Sequence, residues 1–233
     1  SFLSTGPTME FLNKKENFGL KEGELICFNQ SISLRLQPDG ELFFSNDGDI
    51  SPYTPGHGDF FNSMKREKLD IKLKEAGVKY FFFSNLDNLA AKVDPVVLGY
   101  HIDNKKEISA ELAENKADIA GAPVILDGRL QMIEGFRFPV YFDTKLIRYL
   151  NTNNFTFNLS IFEKEMELTH YVAKKKIEES EALQLETITC ELTSFFDTNY
   201  IVVPRVGAKS RFLPVKTKED LELFREEIIK YHS

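Results

Sequence analysis

The segment 80–88 constrains the fold of this chain most strongly, because an apolar run of strand length stops abruptly on polar residues. The continuous run Tyr80-Phe-Phe-Phe83 predicts a strand buried on both faces, as in a parallel sheet covered by helices. In such sheets, ligands bind beyond the carboxyl ends of the strands. Asp87, placed between Leu86 and Asn88, would there suit a hard cation that carries phosphate oxygens. A strand that ends in an ordinary polar turn is the plainer alternative.

Composition restricts the class of protein. The 233 residues are 42% hydrophobic and 28% charged, which is ordinary for a globular protein. The net charge of -7 argues against a nucleic-acid partner, which would require a basic surface. No apolar run approaches the roughly 20 residues that span a bilayer, so no membrane partner is expected.

The two cysteines indicate the compartment. Cys27 and Cys190 lie far apart in the chain and follow no metal-binding or redox spacing. Both have apolar neighbours, which predicts buried free thiols in a reducing compartment. The first residues also lack the basic and long apolar regions of a secretory signal, so we expect a cytoplasmic protein.

Turn and capping residues divide the chain into alternating strands and helices, which predicts an α/β sandwich with a mixed sheet in one domain. The predicted strands are 25–29, 34–36, 41–44, 78–83, 108–112, 122–126, 130–133, 155–159 and 201–203. The predicted helices are 8–17, 59–76, 94–102, 143–150, 161–168, 185–196 and 218–231. Asp59 is the expected N-cap of the second helix. Thr217 and Asp220 resemble a capping box before the last one.

A glycine-rich loop is the second informative motif. The two glycines of Pro55-Gly-His-Gly-Asp59 would let the backbone approach a ligand with its N–H groups. The helix that follows would direct its positive dipole end at the same loop. A glycine-rich turn with an exposed histidine is the alternative.

Three further segments carry residues suited to polar ligands. Asn151-Thr-Asn-Asn154 offers amides that match sugar hydroxyls without adding charge. Gln184 and Glu186 lie two residues apart on an apolar background, where a helix start explains them equally well. Lys216 follows the apolar segment Arg211-Phe-Leu-Pro-Val and precedes a helix, so it could act as a point charge on phosphate. Turn-forming asparagines and a solvated lysine are the alternatives.

The order of these motifs along the chain resembles the UTP–glucose-1-phosphate uridylyltransferase (UDP-glucose pyrophosphorylase) family. The likeness runs from Ser1 to about Leu221, and its most specific pieces are Pro55-Gly-His-Gly-Asp59 and Arg211-Phe-Leu-Pro-Val-Lys216-Thr. It implies an α/β fold with a Rossmann-like, glycosyltransferase-A-like mixed sheet flanked by helices. It also implies a Mg²⁺-dependent synthesis of UDP-glucose and pyrophosphate from UTP and glucose 1-phosphate.

The resemblance also implies which residues form the site. By role they are Gln30, Gly56 and Asn85 for the nucleotide, Asn153 and Glu134 for the sugar, Asp87 for the metal, and Lys216 and His57 for catalysis. His57 would meet the sugar phosphate, and Lys216 would neutralise charge on the phosphates.

Departures from the family pattern leave alternatives open. The family's glycine-rich donor loop and its C-terminal β-helix domain have no counterpart here, so we expect residues 1–233 to be a fragment. The family's Lys-Gly-Gly stretch appears as Ala120-Gly-Ala122, and Val206-Gly-Ala-Lys209 interrupts a run that is usually continuous. A UDP-N-acetylglucosamine pyrophosphorylase is one alternative, although His57-Gly-Asp59 favours glucose 1-phosphate. A non-catalytic nucleotide-sugar-binding module is the other.

Overall fold

The computed structural model describes residues 2–116, 118 and 120–232. Ser1, where the family resemblance begins, lies outside the described residues. The helices are α1 (Phe2–Lys14), α2 (Asp59–Arg66), α3 (Leu69–Glu75), α4 (Pro95–Asn104), α5 (Leu192–Phe195), α6 (Lys218–Leu223) and α7 (Arg225–His232). The strands are β1 (Ser33–Leu34), β2 (Pro52–Tyr53), β3 (Tyr80–Phe83), β4 (Ile108–Glu114), β5 (Ala122–Leu126), β6 (Arg129–Ile133), β7 (Tyr149–Asn158), β8 (Tyr171–Ile177), β9 (Ser180–Glu186) and β10 (Thr198–Val202).

The chain forms two compact units. The first unit comprises Ser1–Glu75 and Glu167–Thr189, and the second comprises Ala76–Met166 and Cys190–Ser233. The expectation of one catalytic-core domain over 1–233 stays a prediction. Within the described residues, no helix is both long and apolar enough to cross a membrane.

A four-stranded mixed sheet in the order β10-β4-β7-β3 forms the centre of the second unit. Strands β10 and β4 are parallel, whereas β7 is antiparallel to both β4 and β3. The predicted α/β class with a mixed sheet is therefore confirmed. Helix α4 is also confirmed, and its N-cap Asp94 accepts the N–H groups of Val96 and Val97 at 2.8 and 3.3 Å.

Strand β3 differs from its prediction. It is the edge of this described sheet, it pairs antiparallel with β7, and its four residues are only half-buried. The apolar run has another physical reason, which is aromatic packing. The ring centroids of Phe81 and Phe157 lie 5.0 Å apart, and those of Phe83 and Phe155 lie 6.4 Å apart. The phenylalanines of β3 therefore pack against aromatic rings of β7, and the strand is not buried on both faces.

Two hairpins illustrate how pairing decides ambiguous segments. The hairpin of β5 and β6 was predicted and is confirmed. The hairpin of β8 and β9 pairs from Tyr171↔Glu186 to Ile177↔Ser180, where the sequence predicted a helix starting at 185. Short apolar patterns do not distinguish helix from strand until their partner is known.

Several other predicted elements were wrong. Segment 25–29 is not a strand, and Ile26, Cys27 and Phe28 in it are exposed. Cys27 is therefore not the buried thiol that was predicted, whereas Cys190 is buried. The predicted helices 143–150 and 161–168 are short 3₁₀ turns, Thr144–Leu146 and Leu159–Glu163. Lys68, with φ of 56°, separates α2 from α3 and interrupts the predicted helix 59–76.

The capping box at α6 is confirmed. Thr217 accepts the N–H of Asp220 at 3.1 Å, and Asp220 accepts the N–H of Thr217 at 3.0 Å. The predicted closing helix is interrupted at Phe224, which divides it into α6 and α7.

A buried histidine joins α4 to the sheet. His101 is 1% exposed, its Nδ1 lies 2.8 Å from Ser109 Oγ, and its Nε2 lies 2.8 Å from Asn158 Oδ1. An amide oxygen can only accept, so Nε2 carries the proton and Nδ1 accepts from the serine hydroxyl. Burial lowers the pKa of His101, and the hydrogen bond to Asn158 only partly opposes that effect.

We expect this histidine to make folding pH-dependent. Its pKa is lower in the folded protein than in the unfolded chain, so below about pH 6.5 the unfolded state binds more protons. Acidification from pH 7.5 to 5.5 should therefore lower the free energy of unfolding, by at most about 1.4 kcal/mol per pH unit for one proton. Over this pH range, the urea midpoint should fall less steeply with acidification in His101→Gln than in the wild type. An unchanged slope in His101→Gln would contradict the prediction.

Candidate functional site

In the first unit, the glycine-rich loop packs against the end of β9. Pro55 O accepts the N–H of Thr187 at 2.8 Å, and Thr187 O accepts the N–H of Gly58 at 3.0 Å. A Cβ on Gly56, whose φ is +81°, would lie 2.3 Å from Thr187 O, and one on Gly58 would lie 2.6 Å from Ile188 N. The glycines are therefore required by close backbone contact between two distant segments. Their expected approach to a ligand stays a prediction.

His57 is oriented by this contact. The N–H of Thr189 donates to His57 Nδ1 at 3.1 Å, and the hydroxyl of Thr189 donates to His57 O at 3.0 Å. Because a backbone N–H can only donate, Nδ1 is an acceptor and Nε2 is the ring nitrogen that carries the proton. The sequence predicted the histidine but not the threonine that fixes its tautomer.

Gln30 lies against the same loop. Its Nε2 donates to Gly56 O at 2.8 Å. Asp59 is buried, and its carboxylate accepts the N–H of Ser31 at 2.6 Å and the hydroxyl of Ser63 at 2.8 Å. Asp59 is the first residue of α2, and Gly58 occupies the N-cap position, so the prediction that Asp59 is the N-cap was wrong. Its carboxylate instead holds the chain beside Gln30 in place.

A cleft of about 440 Å³ in the first unit brings these residues together. Gln30, Gly56 and His57 line it, together with Gln184 and Glu186. In the amide orientation that satisfies its neighbours, Gln184 accepts from Arg35 and donates to Glu186. The predicted site residues of the first unit therefore share one polar cleft.

In the second unit, a short antiparallel ribbon pairs the segment that carries Asp87 with the segment that precedes Lys216. Asp87 O accepts the N–H of Val215 at 2.8 Å, and Leu213 O accepts the N–H of Leu89 at 3.1 Å. Asn88 and Pro214 form the β-bridge between these two bonds. Lys216 directly follows Val215, so the ribbon joins the two chain segments that carry Asp87 and Lys216, although these are far apart in sequence.

The side chains of this pair face different environments. Asp87 is half-buried, and its carboxylate makes no hydrogen bond or ion pair with the residues that the structure describes. Lys216 is exposed, and its N–H donates to Asp220 Oδ2 at 2.9 Å. The N–H groups of Lys216 and Thr217 lower the pKa of Asp220, so this carboxylate stays ionised and fixes the backbone at Lys216.

The asparagine row forms a bulge in β7 and not the loop that the sequence suggested. Opposite β4, the pairing moves from Ala110↔Phe155 to Leu112↔Asn151, so extra residues of β7 bulge out. Asn153, at the bulge with φ of 58°, donates from Nδ2 to Asn85 Oδ1 at 2.6 Å. Its own Oδ1 is buried and has no hydrogen-bond partner among the described residues. The bulge thus joins two predicted site residues and leaves a buried acceptor unpaired.

Glu134 follows β6 and accepts a hydrogen bond from a buried cysteine. The thiol of Cys190 donates to Glu134 Oε1 at 3.5 Å. Burial and the negative charge of Glu134 raise the pKa of Cys190 well above its ordinary value, so the thiol keeps its proton. A Cβ on Gly121 would lie 3.2 Å from Glu134 Oε1. Gly121 O also accepts the N–H of Asn151 at 2.7 Å, which connects this region to the bulge.

A buried polar network supports the residues of the second unit. Arg211 donates to both carboxylate oxygens of Glu111, from Nε at 2.7 Å and from Nη2 at 2.5 Å. The two side chains are 5% and 1% exposed. Burial lowers the pKa of Arg211, but its hydrogen bond to Glu111 and the charges of Glu111 and Asp94 outweigh burial and raise it overall.

Sequence reasoning found only half of this network. Arg211 stood in a motif that the sequence singled out, although no role was predicted for its side chain. Glu111 gave no signal, since a single glutamate in an alternating strand is expected to face water. Its pairing depends on the fold of the whole unit.

Comparison with solved structures defines the class of fold. A UDP-glucose phosphorylase from Trypanosoma brucei matches with a TM-score of 0.80 and 24% identity, over 93% of this chain and 52% of that one. The UDP-N-acetylglucosamine pyrophosphorylase from the same organism, solved with an inhibitor, matches with a TM-score of 0.74 and 22% identity, over 91% of this chain and 48% of that one. The fold is therefore the nucleotidyltransferase fold of the nucleotide-sugar pyrophosphorylases.

Sequence comparison identifies the family. Residues 1–233 match the family described as UTP–glucose-1-phosphate uridylyltransferase, and the chain belongs to it. The UTP–glucose-1-phosphate uridylyltransferase of Encephalitozoon cuniculi is 36% identical over 84% of this chain and 42% of its own length. That of Musa acuminata is 33% identical over 98% of this chain and 51% of its own length. The chain thus spans about half the length of the curated relatives that it matches.

Proposed function

We propose that the protein transfers a uridylyl group from UTP to glucose 1-phosphate, which yields UDP-glucose and pyrophosphate. Family membership and the motif order support this activity. The observation that carries it is the match of residues 1–233 to this family, and the ribbon of the second unit adds a half-buried carboxylate, Asp87, and an exposed ammonium group, Lys216, on segments joined by backbone hydrogen bonds. A pair of this kind suits the joining of two polyanions, whose repulsion is the main obstacle to the reaction.

The first unit would contribute to nucleotide and sugar-phosphate binding. Gln30 and Gly56 would contact the uracil or ribose of UTP. Gln30 is already held beside Gly56 by a 2.8 Å hydrogen bond, so little ordering would be needed on binding. His57 would donate from Nε2 to the sugar phosphate, since Thr189 fixes its other ring nitrogen as an acceptor.

The second unit would hold the sugar and the remaining phosphates. The unpaired Oδ1 of Asn153 is a buried acceptor, and a glucose hydroxyl is a donor that would satisfy it. Glu134 would accept from another hydroxyl. Asn85, which Asn153 fixes through its amide, would contact the nucleotide.

Asp87 would hold Mg²⁺. Within the described residues no three metal-binding side chains cluster, so an all-protein site is not formed there. One carboxylate whose oxygens make no bond to the described residues fits this ion, because Mg²⁺ in such sites takes one or two carboxylates together with waters and substrate phosphates. When bound, the ion would supply charge neutralisation on the phosphates.

The reaction itself needs no protein nucleophile. An anionic oxygen of the sugar phosphate forms a bond to the α-phosphorus of UTP, and the bond from that phosphorus to the oxygen leading to the β-phosphate breaks. Pyrophosphate leaves with the electron pair, and no proton has to move. Lys216 would stabilise charge that accumulates on the phosphates as this bond breaks.

Pyrophosphate release from UTP with a panel of sugar 1-phosphates tests the proposal. We expect the highest kcat/KM with glucose 1-phosphate. A preference for N-acetylglucosamine 1-phosphate would favour that related pyrophosphorylase activity. Binding of UDP-glucose without any turnover would favour a non-catalytic nucleotide-sugar-binding module. The cytoplasmic location expected from the cysteines stays a prediction.

A further inference from the structure

The buried network of the second unit lies beside the predicted site without belonging to it. Asn154 Nδ2 donates to Glu111 Oε2 at 3.1 Å and to Arg211 O at 3.1 Å. Asn88 Nδ2 donates to Asn154 Oδ1 at 3.2 Å and to Arg211 O at 3.1 Å. These four side chains are all buried, and none of them is among the predicted site residues. We call them the clamp.

Three members of the clamp lie near a residue of the predicted site in the chain. Asn88 follows Asp87, and Asn154 follows Asn153. Arg211 begins the segment that ends at Lys216. The clamp therefore ties three separate parts of the chain to strand β4, which carries Glu111.

The clamp also holds the ribbon in register. Asn88 Oδ1 accepts the N–H of Leu213 at 2.8 Å, in addition to the bonds of its amide nitrogen. Arg211 Nη2 donates to Lys92 O at 2.8 Å, and Arg211 Nη1 lies 3.6 Å from Asp94 Oδ2. Both strands of the ribbon are thus anchored to the same ion pair.

The Glu111–Arg211 ion pair is expected to fix the geometry of the unit more than it stabilises the fold. A buried ion pair gains little net stability, because removing two charges from water offsets much of their attraction. A bidentate arginine–carboxylate pair does, however, fix distance and angle closely. Lysine cannot reproduce the forked contact.

We propose that the Glu111–Arg211 pair is the positioning element that sets Asp87, Asn153 and Lys216 in their relative places. The proposal rests on the proposed function for its consequence in catalysis, but its geometric part does not. Arg211 and Glu111 act through the backbone and through Asn88 and Asn154, so they are positioning residues and not catalytic ones.

Arg211→Lys tests the proposal because lysine keeps the positive charge but cannot donate two parallel hydrogen bonds to the Glu111 carboxylate. We expect kcat to fall by roughly 10- to 100-fold, the usual cost of losing a residue that orients site groups. Amide hydrogen exchange at Leu89, Leu213 and Val215 should accelerate, while β4 and β7 remain protected. Thermal unfolding measured in parallel gives the folded fraction. Glu111→Gln should produce the same pattern from the other side of the pair.

His101→Gln is the matched control. It disturbs a buried polar network that also joins β4 and β7 but contacts no predicted site residue. We expect it to lower stability and to leave kcat and the exchange of the three ribbon amides unchanged. The proposal would be overturned if Arg211→Lys lost activity only in proportion to its unfolded fraction, with kcat per folded molecule unchanged as in the control.

A failure of the proposed function is distinguishable from a failure of the clamp. If the wild-type protein released no pyrophosphate with any sugar phosphate, the activity would be wrong, and the exchange data would still decide the clamp. Unchanged protection of the ribbon amides in Arg211→Lys would overturn it. Accelerated exchange confined to the ribbon would support it.

Discussion

Asp87→Ala is expected to lower kcat by roughly 10³-fold, since the variant removes the carboxylate proposed to hold the metal that neutralises the phosphates. The fold should survive the change, because the ribbon uses the backbone oxygen of Asp87 and not its side chain. Initial rates of pyrophosphate release across a Mg²⁺ series would measure the effect. Thermal unfolding would verify that the protein stays folded.

Asp103→Ala is the control for this change. Asp103 is an exposed carboxylate of α4 in the same unit, and it has no proposed role. We expect wild-type turnover and an unchanged response to Mg²⁺. Wild-type turnover in Asp87→Ala itself would remove the metal-binding role from this residue.

Lys216→Ala is expected to lower kcat by roughly 10²-fold, because its charge opposes the negative charge that grows on the phosphates in the transition state. The KM values for UTP and for the sugar phosphate should change much less. Lys218→Ala removes an exposed lysine two residues away and should leave kcat unchanged. A change in KM alone would make Lys216 a residue of ground-state binding.

Local signals in the sequence predicted the structure better than long-range pairing could be predicted. Asp94-Pro95 predicted α4 correctly because capping is a local interaction. Gln184 and Glu186 were selected from their motif although they lie on a strand and not on the predicted helix. The strand forms because β8 pairs with it, and no local pattern identified that partner.

Long-range contacts account for what the sequence did not predict. The bulge at Asn153 lies opposite Glu111 on β4, about 40 residues earlier in the chain, and Asn154 donates to that glutamate. Thr189 fixes His57 across 132 positions. Neither contact has a spacing or a composition that a single sequence would reveal, since each depends on the packing of separate elements.

A double-mutant cycle on Asp87 and Lys216 tests most directly whether the two act on one set of phosphates. Independent residues would give losses in kcat that multiply, to roughly 10⁵-fold in Asp87→Ala/Lys216→Ala. Our account predicts that the double variant loses no more than about 10-fold beyond Asp87→Ala alone, because residues that stabilise the same charge are strongly non-additive. Fully multiplied losses would contradict it.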